Sequence, residues 1–209
     1  MTKFKVAYID EDESDIRRFR RFADDFFNVI PLIPDRDIER TVFNIFEQKV
    51  DAIIADFELS EQNVSIHYNG AELVRFILEE REQFPVFILT SYEEDAVSKG
   101  DDVNIVYEKN IMNDGETFLV KVKSQIEKYI HRLETAESRI FELTEKSKTS
   151  TLDAYEEEEL FKLDAMIEKA FDKKSKIPEN LKRANNSEEL MELLKKVDNL
   201  TRRIESRDE

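Results

Sequence analysis

Five polar side chains follow short apolar runs in the sequence, and their chemical types point to phosphate chemistry. They are Asp10, Glu11, Asp56, Thr90 and Lys109. Clustered carboxylates suit Mg²⁺, which binds one or two carboxylates together with waters and phosphate oxygens. A hydroxyl and an ammonium group beside them can bind the remaining phosphoryl oxygens. A carboxylate in that setting can act as a nucleophile, because aspartyl phosphates are an established covalent intermediate.

Short β-rich runs alternate with amphipathic helices through the first part of the chain. The predicted strands cover residues 4–9, 28–33, 52–56, 86–89 and 103–107, and the predicted helices cover 12–27, 38–46, 70–78 and 93–98. This alternation predicts an α/β fold, a five-stranded parallel, doubly wound sheet with helices on both faces. The carboxyl ends of such strands lie at one edge, so the polar side chains are expected to converge.

Apolar residues recur every three or four positions from about residue 115 onward. This heptad pattern predicts a long helix. A break at residues 148–151 precedes a second helix, with Ser150 or Thr151 as its cap, and a third helix is expected over 186–204. We therefore expect two domains, residues 1–130 and a helical extension over 131–209. The spacing leaves open whether the helices pair within one chain or between two chains.

The composition argues against several classes of function. The formal net charge is −16, with 28 acidic and 16 basic side chains before residue 131, which disfavours an electrostatic grip on nucleic acid or an anionic membrane. The absence of cysteine excludes disulfides and thiolate metal sites. No apolar run is long enough for a membrane span, and the amino terminus reads as a strand, so a cytoplasmic protein is expected. The helical tail lacks the motifs of an output enzyme.

The order of the motifs resembles the receiver domain of two-component response regulators, and this resemblance implies a sheet of the flavodoxin or CheY-like type. The matching pieces are YIDEDESDIRRF, IIADFEL, FILTSYE and IVYEKN, which fall within about residues 3–130. The resemblance implies that Asp56 accepts a phosphoryl group, that Thr90 is the switch hydroxyl and that Lys109 pairs with the phosphoryl group. The Mg²⁺ ligands that it implies are Asp10, Glu11, Asp56 and the backbone carbonyl of Glu58. The phosphoryl donor would be a histidine kinase or phosphotransfer protein, and the chain itself would not be an enzyme beyond this chemistry.

The sequence departs from the receiver pattern at several positions. Asn110 stands where the family usually has proline, and Val106 stands where an aromatic residue is expected, with Tyr107 one place late. The connection over residues 57–69 is several residues longer than usual and has few apolar anchors. A loop of that length in a compact domain is usually functional or mobile.

Three functions are compatible with these features. The first is a phosphorylation-controlled signalling protein, in which the C-terminal helices carry the signal to a partner or a homodimer. The second is a degenerate receiver that acts as a constitutive interaction or scaffold protein. The third is an RNA- or DNA-binding output, which the weakly acidic tail disfavours because such a surface needs clustered basic side chains.

Overall fold

The computed structural model describes residues 3–61, 64–91, 106–113 and 116–171. The chain divides into two compact units, Met1–Thr135 and Ala136–Glu209. The domain boundary expected near residue 130 stays a prediction. The helix predicted over 93–98, the first residues of the predicted fifth strand and the last predicted helix over 186–204 lie outside the described residues.

The first unit contains a parallel sheet whose strands have the order β2-β1-β3-β4-β5. The strands are β1 (Phe4–Ile9), β2 (Phe27–Leu32), β3 (Ala52–Asp56), β4 (Val86–Thr90) and β5 (Val106–Glu108). Every residue of β3 and β4 is buried, which explains why these two strands are nearly continuous apolar runs. The order confirms the predicted CheY-like fold.

Helices cover both faces of the sheet, and alternate strand residues point into two separate cores. The helices are α1 (Glu13–Ala23), α2 (Ile38–Glu47), α3 (Gly70–Glu80), a short 3₁₀ helix (Lys109–Asn113), α4 (Thr117–Thr149) and α5 (Ala154–Phe171). Ile53 and Ala55 lie in one core with residues of α2 and α3. Ala52 and Ile54 lie in the other core with residues of α1 and the first part of α4. The period of two along β3 therefore places helices on both faces.

The ends of the first two helices follow from local side chains. Asp12 and Asp37 cap these helices, because each carboxylate accepts a hydrogen bond from the backbone N–H two residues later. The expectation that α1 runs to residue 27 is wrong, since the helix ends at Ala23. Asp24 and Asp25 follow at once, and negative charge is unfavourable at a helix C-terminus.

The second unit, where it is described, holds α4 from Ala136 onward and α5. The cap of α5 is Asp153, whose carboxylate accepts the N–H groups of Tyr155 and Glu156, so the expected caps Ser150 and Thr151 are wrong. Two ion pairs then join α4 to α5, Arg139 with Glu159 and Lys146 with Glu156. The two helices are therefore antiparallel neighbours.

The helices have one further property in common. Within the four described ranges, no helix combines the length and the apolar character that crossing a bilayer requires.

The start of α3 lies directly against the backbone of β3. Gly70 donates its N–H to the carbonyl of Phe57 at 2.8 Å. A Cβ on Gly70 would lie 2.0 Å from the carbonyl oxygen of Asp56, which is far inside van der Waals contact. Asn69 and Glu72 form a capping box that fixes this helix start. Glycine is therefore required here by the close approach of two backbones.

We expect Gly70→Ala to destabilise the first unit by about 2 to 3 kcal/mol, because the backbone at Asp56 must move to admit the methyl group. An unconstrained helix position would instead gain about 0.4 to 1 kcal/mol from the same change. Urea denaturation measures the difference. The control Ala71→Gly, one position along the helix, should cost about 1 kcal/mol through helix propensity alone. A Gly70→Ala variant as stable as the wild type would contradict the close approach.

Candidate functional site

The register of the sheet brings four strand ends to one level. β1 and β3 pair so that Asp10 lies level with Asp56. β4 ends at Thr90, which pairs with Glu108 of β5, and Lys109 follows directly. The structure therefore places these four side chains at the carboxyl edge of the sheet, beside the switch point between β1 and β3, where open α/β sheets bind ligands.

Three carboxylates form the centre of the site. One carboxylate oxygen from each of Asp10, Glu11 and Asp56 lies within 4.8 Å of the other two. Asp10 and Asp56 are buried, and Glu11 is partly buried. Asp10 also accepts the N–H of Asp12 at 2.8 Å, and Glu11 accepts the N–H of Glu61 at 3.1 Å. Three convergent carboxylate oxygens are a donor set that suits a hard cation such as Mg²⁺.

Lys109 lies in the middle of the acidic side chains. Its Nζ is 3.0 Å from Oδ1 of Asp56, 3.3 Å from Oδ2 of Asp10 and 2.6 Å from Oδ2 of Asp15. The lysine side chain is only 12% exposed. An ammonium group has three N–H donors. Each donor can therefore serve one of the three carboxylates.

For Asp10, Asp56 and Lys109, burial shifts the pKa in one direction and the oppositely charged neighbour shifts it in the other. Burial raises the pKa of Asp56 to about 7; the Lys109 ammonium opposes this rise, and the Asp10 carboxylate adds to it. Burial also raises the pKa of Asp10, against the effect of its hydrogen bond from Asp12 and of Lys109. Burial alone would lower the pKa of Lys109, but the neighbouring carboxylates, led by Asp56, raise it overall. The lysine is therefore a permanent cation, whereas Asp56 carries an unfavourable charge.

Tyr8 contacts the Asp10 carboxylate of the site. Its ring stacks on Phe19 of α1 at a centroid distance of 4.2 Å, and its hydroxyl donates to Oδ2 of Asp10 at 2.8 Å. Burial and the adjacent Asp10 carboxylate raise the pKa of Tyr8, so the phenol stays protonated and remains a donor. This hydrogen bond fixes the orientation of the Asp10 carboxylate.

The long connection after Asp56 is attached to the site and to the segment before α2. At its beginning, the N–H of Glu61 is bound by Glu11. Near its end, the hydroxyl of Tyr68 donates to the backbone carbonyl of Asp35 at 2.6 Å and lies 2.7 Å from the hydroxyl of Thr41. The described parts of this loop are therefore anchored at both ends.

Sequence reasoning missed Tyr8 and Asp15. Tyr8 reads as one more apolar residue of a strand, and nothing local marks its hydroxyl. Asp15 does carry a signal, because it lies four residues before Phe19 and so shares the inner face of α1.

Thr90 is buried at the end of β4, and Glu58 is half-buried two residues after Asp56. The functional roles expected for the five motif residues and for Glu58 stay predictions.

No protein-family model matches the sequence, and no curated protein matches it. The structural neighbours are receiver domains of response regulators. The anti-anti-sigma factor PhyR from Bartonella quintana is 16% identical with a TM-score of 0.49, over 66% of this chain and 52% of PhyR. This chain thus spans about half of PhyR.

Two further structures show the same similarity. DrrB, an OmpR/PhoB homologue from Thermotoga maritima, is 23% identical with a TM-score of 0.46, over 61% of this chain and 54% of DrrB. The receiver domain of nitrogen regulatory protein C is 17% identical with a TM-score of 0.47, over 62% of this chain and 98% of that domain. The strand order and register of this chain establish its fold independently of these similarities.

The raised pKa of Asp56 predicts a pH-dependent stability. Between its unfolded pKa of about 4 and its folded pKa of about 7, the folded state binds a proton that the unfolded state does not. Stability without metal should therefore fall as the pH rises through this window. At pH 8, Asp56→Asn should be more stable than the wild type by about 2 to 4 kcal/mol, and at pH 4 the two should be equal. Urea denaturation with chelator present measures this. Equal stability at pH 8 would contradict it.

Proposed function

We propose that the chain is a phosphorylation-controlled signalling protein in which Asp56 accepts a phosphoryl group. The observation that carries this proposal is the convergence of three carboxylates and Lys109 at the carboxyl ends of the parallel strands. The donor in this proposal is a phosphohistidine on a histidine kinase or phosphotransfer protein. The chain then acts as a receiver and as a switch, and its only chemistry is gain and loss of this group.

The carboxylates support a place for Mg²⁺ in the proposal. The residues that would hold the ion are Asp10, Glu11, Asp56 and the backbone carbonyl of Glu58. When bound, Mg²⁺ would neutralise negative charge on the phosphoryl oxygens as the group is transferred. Two observations support this: one oxygen from each of Asp10, Glu11 and Asp56 lies within 4.8 Å of the other two, and burial, with the neighbouring carboxylates, raises the pKa of Asp56.

In the transfer step, a carboxylate oxygen of Asp56 attacks the phosphorus atom. The new O–P bond forms as the P–N bond to histidine breaks, and the electron pair of that bond stays on the imidazole nitrogen. Lys109 donates an N–H to a phosphoryl oxygen, as its 3.0 Å contact with Oδ1 of Asp56 supports. The hydroxyl of Thr90, at the end of the neighbouring strand, is proposed to bind another phosphoryl oxygen.

The output of the proposed switch is carried by the C-terminal helices. Large apolar side chains on these helices are exposed, and the proposal gives them a protein-binding role. In the second unit they are Phe141, Tyr155 and Phe171. We propose a homodimer or a partner protein as the binder, with Asp56 phosphorylation controlling that association.

The central test is phosphorylation at Asp56. With Mg²⁺ and acetyl phosphate, intact-mass spectrometry should show a species heavier by one phosphoryl group, and Asp56→Asn should abolish it. The matched control is Asp51→Asn, at the amino end of the same strand, where the carboxylate accepts the N–H of Lys5. This control should be phosphorylated like the wild type, because it lies at the opposite edge of the sheet.

A second readout tests the output. Beryllofluoride with Mg²⁺ should change the hydrodynamic size of the wild type and leave Asp56→Asn unchanged. A chain that gives neither a phosphorylated species nor a change in size would contradict the proposed switch. A dimer or complex that forms equally well with and without these reagents would support the constitutive scaffold instead.

A further inference from the structure

Helix α1 contacts the 3₁₀ helix Lys109–Asn113 at both ends of that short helix. Asp15 binds Lys109 at the start of the 3₁₀ helix, at 2.6 Å. Arg18 donates to Oδ1 of Asn113 at the end of that helix, at 2.8 Å. Asp15 and Arg18 are three residues apart, so they lie on the same face of α1. The contact of Asp15 involves a residue of the proposed phosphorylation site, Lys109, whereas the contact of Arg18 does not.

The contact with Asp15 is the shortest of the three that the ammonium makes. Lys109 lies 2.6 Å from Asp15, against 3.0 Å from Asp56 and 3.3 Å from Asp10. The Asp15 side chain is 25% exposed and the Lys109 side chain 12%, so solvent weakens this attraction less than at an open surface. Lys109 is thus shared, and its shortest contact is with the acid that lies outside the three-carboxylate cluster.

A phosphoryl group on Asp56 would place new hydrogen-bond acceptors and negative charge beside the Lys109 ammonium. It adds negative charge of about −1.5 to −2 and three strong acceptor oxygens beside Lys109. Among the described residues, the site already contains four carboxylates against one cation, counting Asp10, Glu11, Asp56 and Asp15 with Lys109. Asp15 therefore competes with the phosphoryl group for an N–H donor and also repels it.

We propose that Asp15 is a positioning residue that holds Lys109 partly away from the phosphoryl group and so lowers the affinity of the site for it. The inference rests on the proposed function, since it concerns the same site. Asp15 acts through Lys109 and contacts neither the proposed metal nor the phosphoryl group.

The proposal predicts opposite effects on anion and cation binding. Without the Asp15 charge, Lys109 turns fully toward Asp10 and Asp56, which favours an anionic phosphoryl group. The same change disfavours Mg²⁺, because the ammonium then competes more strongly for those carboxylates and one negative charge is lost. A structural role, in which Asp15 only fixes the 109–113 segment, would weaken both kinds of binding.

The experiment compares Asp15→Asn with the wild type in two calorimetric titrations. Beryllofluoride, titrated at saturating Mg²⁺, should bind about fivefold more tightly to the variant, as expected for removing one partly screened charge. Mg²⁺ titrated alone should bind about twofold more weakly.

Two control variants separate the charge from the attachment of α1. Asp15→Glu keeps the carboxylate and should stay near the wild-type affinities. Arg18→Gln breaks the other link to the 3₁₀ helix and should leave both titrations unchanged. An Asp15→Asn variant with unchanged or weaker beryllofluoride affinity overturns the inference while the proposed function stands. A wild type that binds no beryllofluoride overturns both, because then no phosphoryl site exists for Asp15 to control.

Discussion

The structure of the first unit depends on one cation among buried acids. Parallel pairing of β1 with β3 sets Asp10 level with Asp56, and both carboxylates are buried. Two like charges in that position are unfavourable unless they are paired. Lys109 supplies the pairing and joins side chains from β1, β3 and α1 to the segment after β5. Even so, burial raises the pKa of Asp56 to about 7, and the Asp10 carboxylate adds to this rise, so Asp56 carries an unfavourable charge that a bound cation would stabilise.

The backbone around Asp56 is fixed from the other side by α3. Gly70 lies so close to the Asp56 carbonyl that no side chain fits between the two backbones. The loop between them is anchored by the Glu61 N–H on Glu11 and by the Tyr68 hydroxyl on the Asp35 carbonyl. The reacting carboxylate of the proposed function is therefore held by a strand, a helix start and a tethered loop.

The sequence predicts this arrangement where the determinants are local. Buried runs that end in acids identify β1 and β3, and parallel-sheet geometry alone brings Asp10, Asp56 and Lys109 together. The features that the sequence does not predict depend on contacts between residues far apart in the sequence, or on two local structures of similar stability. Asp15 binds Lys109 across 94 positions. Helix α1 ends before residue 27 because adjacent acids outweigh an apolar periodicity that continues beyond them.

The departures from the receiver pattern acquire a physical meaning in this setting. Tyr107 packs against Phe118 of α4 at a centroid distance of 5.0 Å, so its ring joins β5 to that helix. Lys109 begins a 3₁₀ helix whose Met112 is buried in the same core as Phe118. The 3₁₀ helix therefore links Lys109 to the core that also contains the start of α4. In the proposed function, this link offers a route for the effect of the phosphoryl charge that needs no aromatic side chain that moves between two positions.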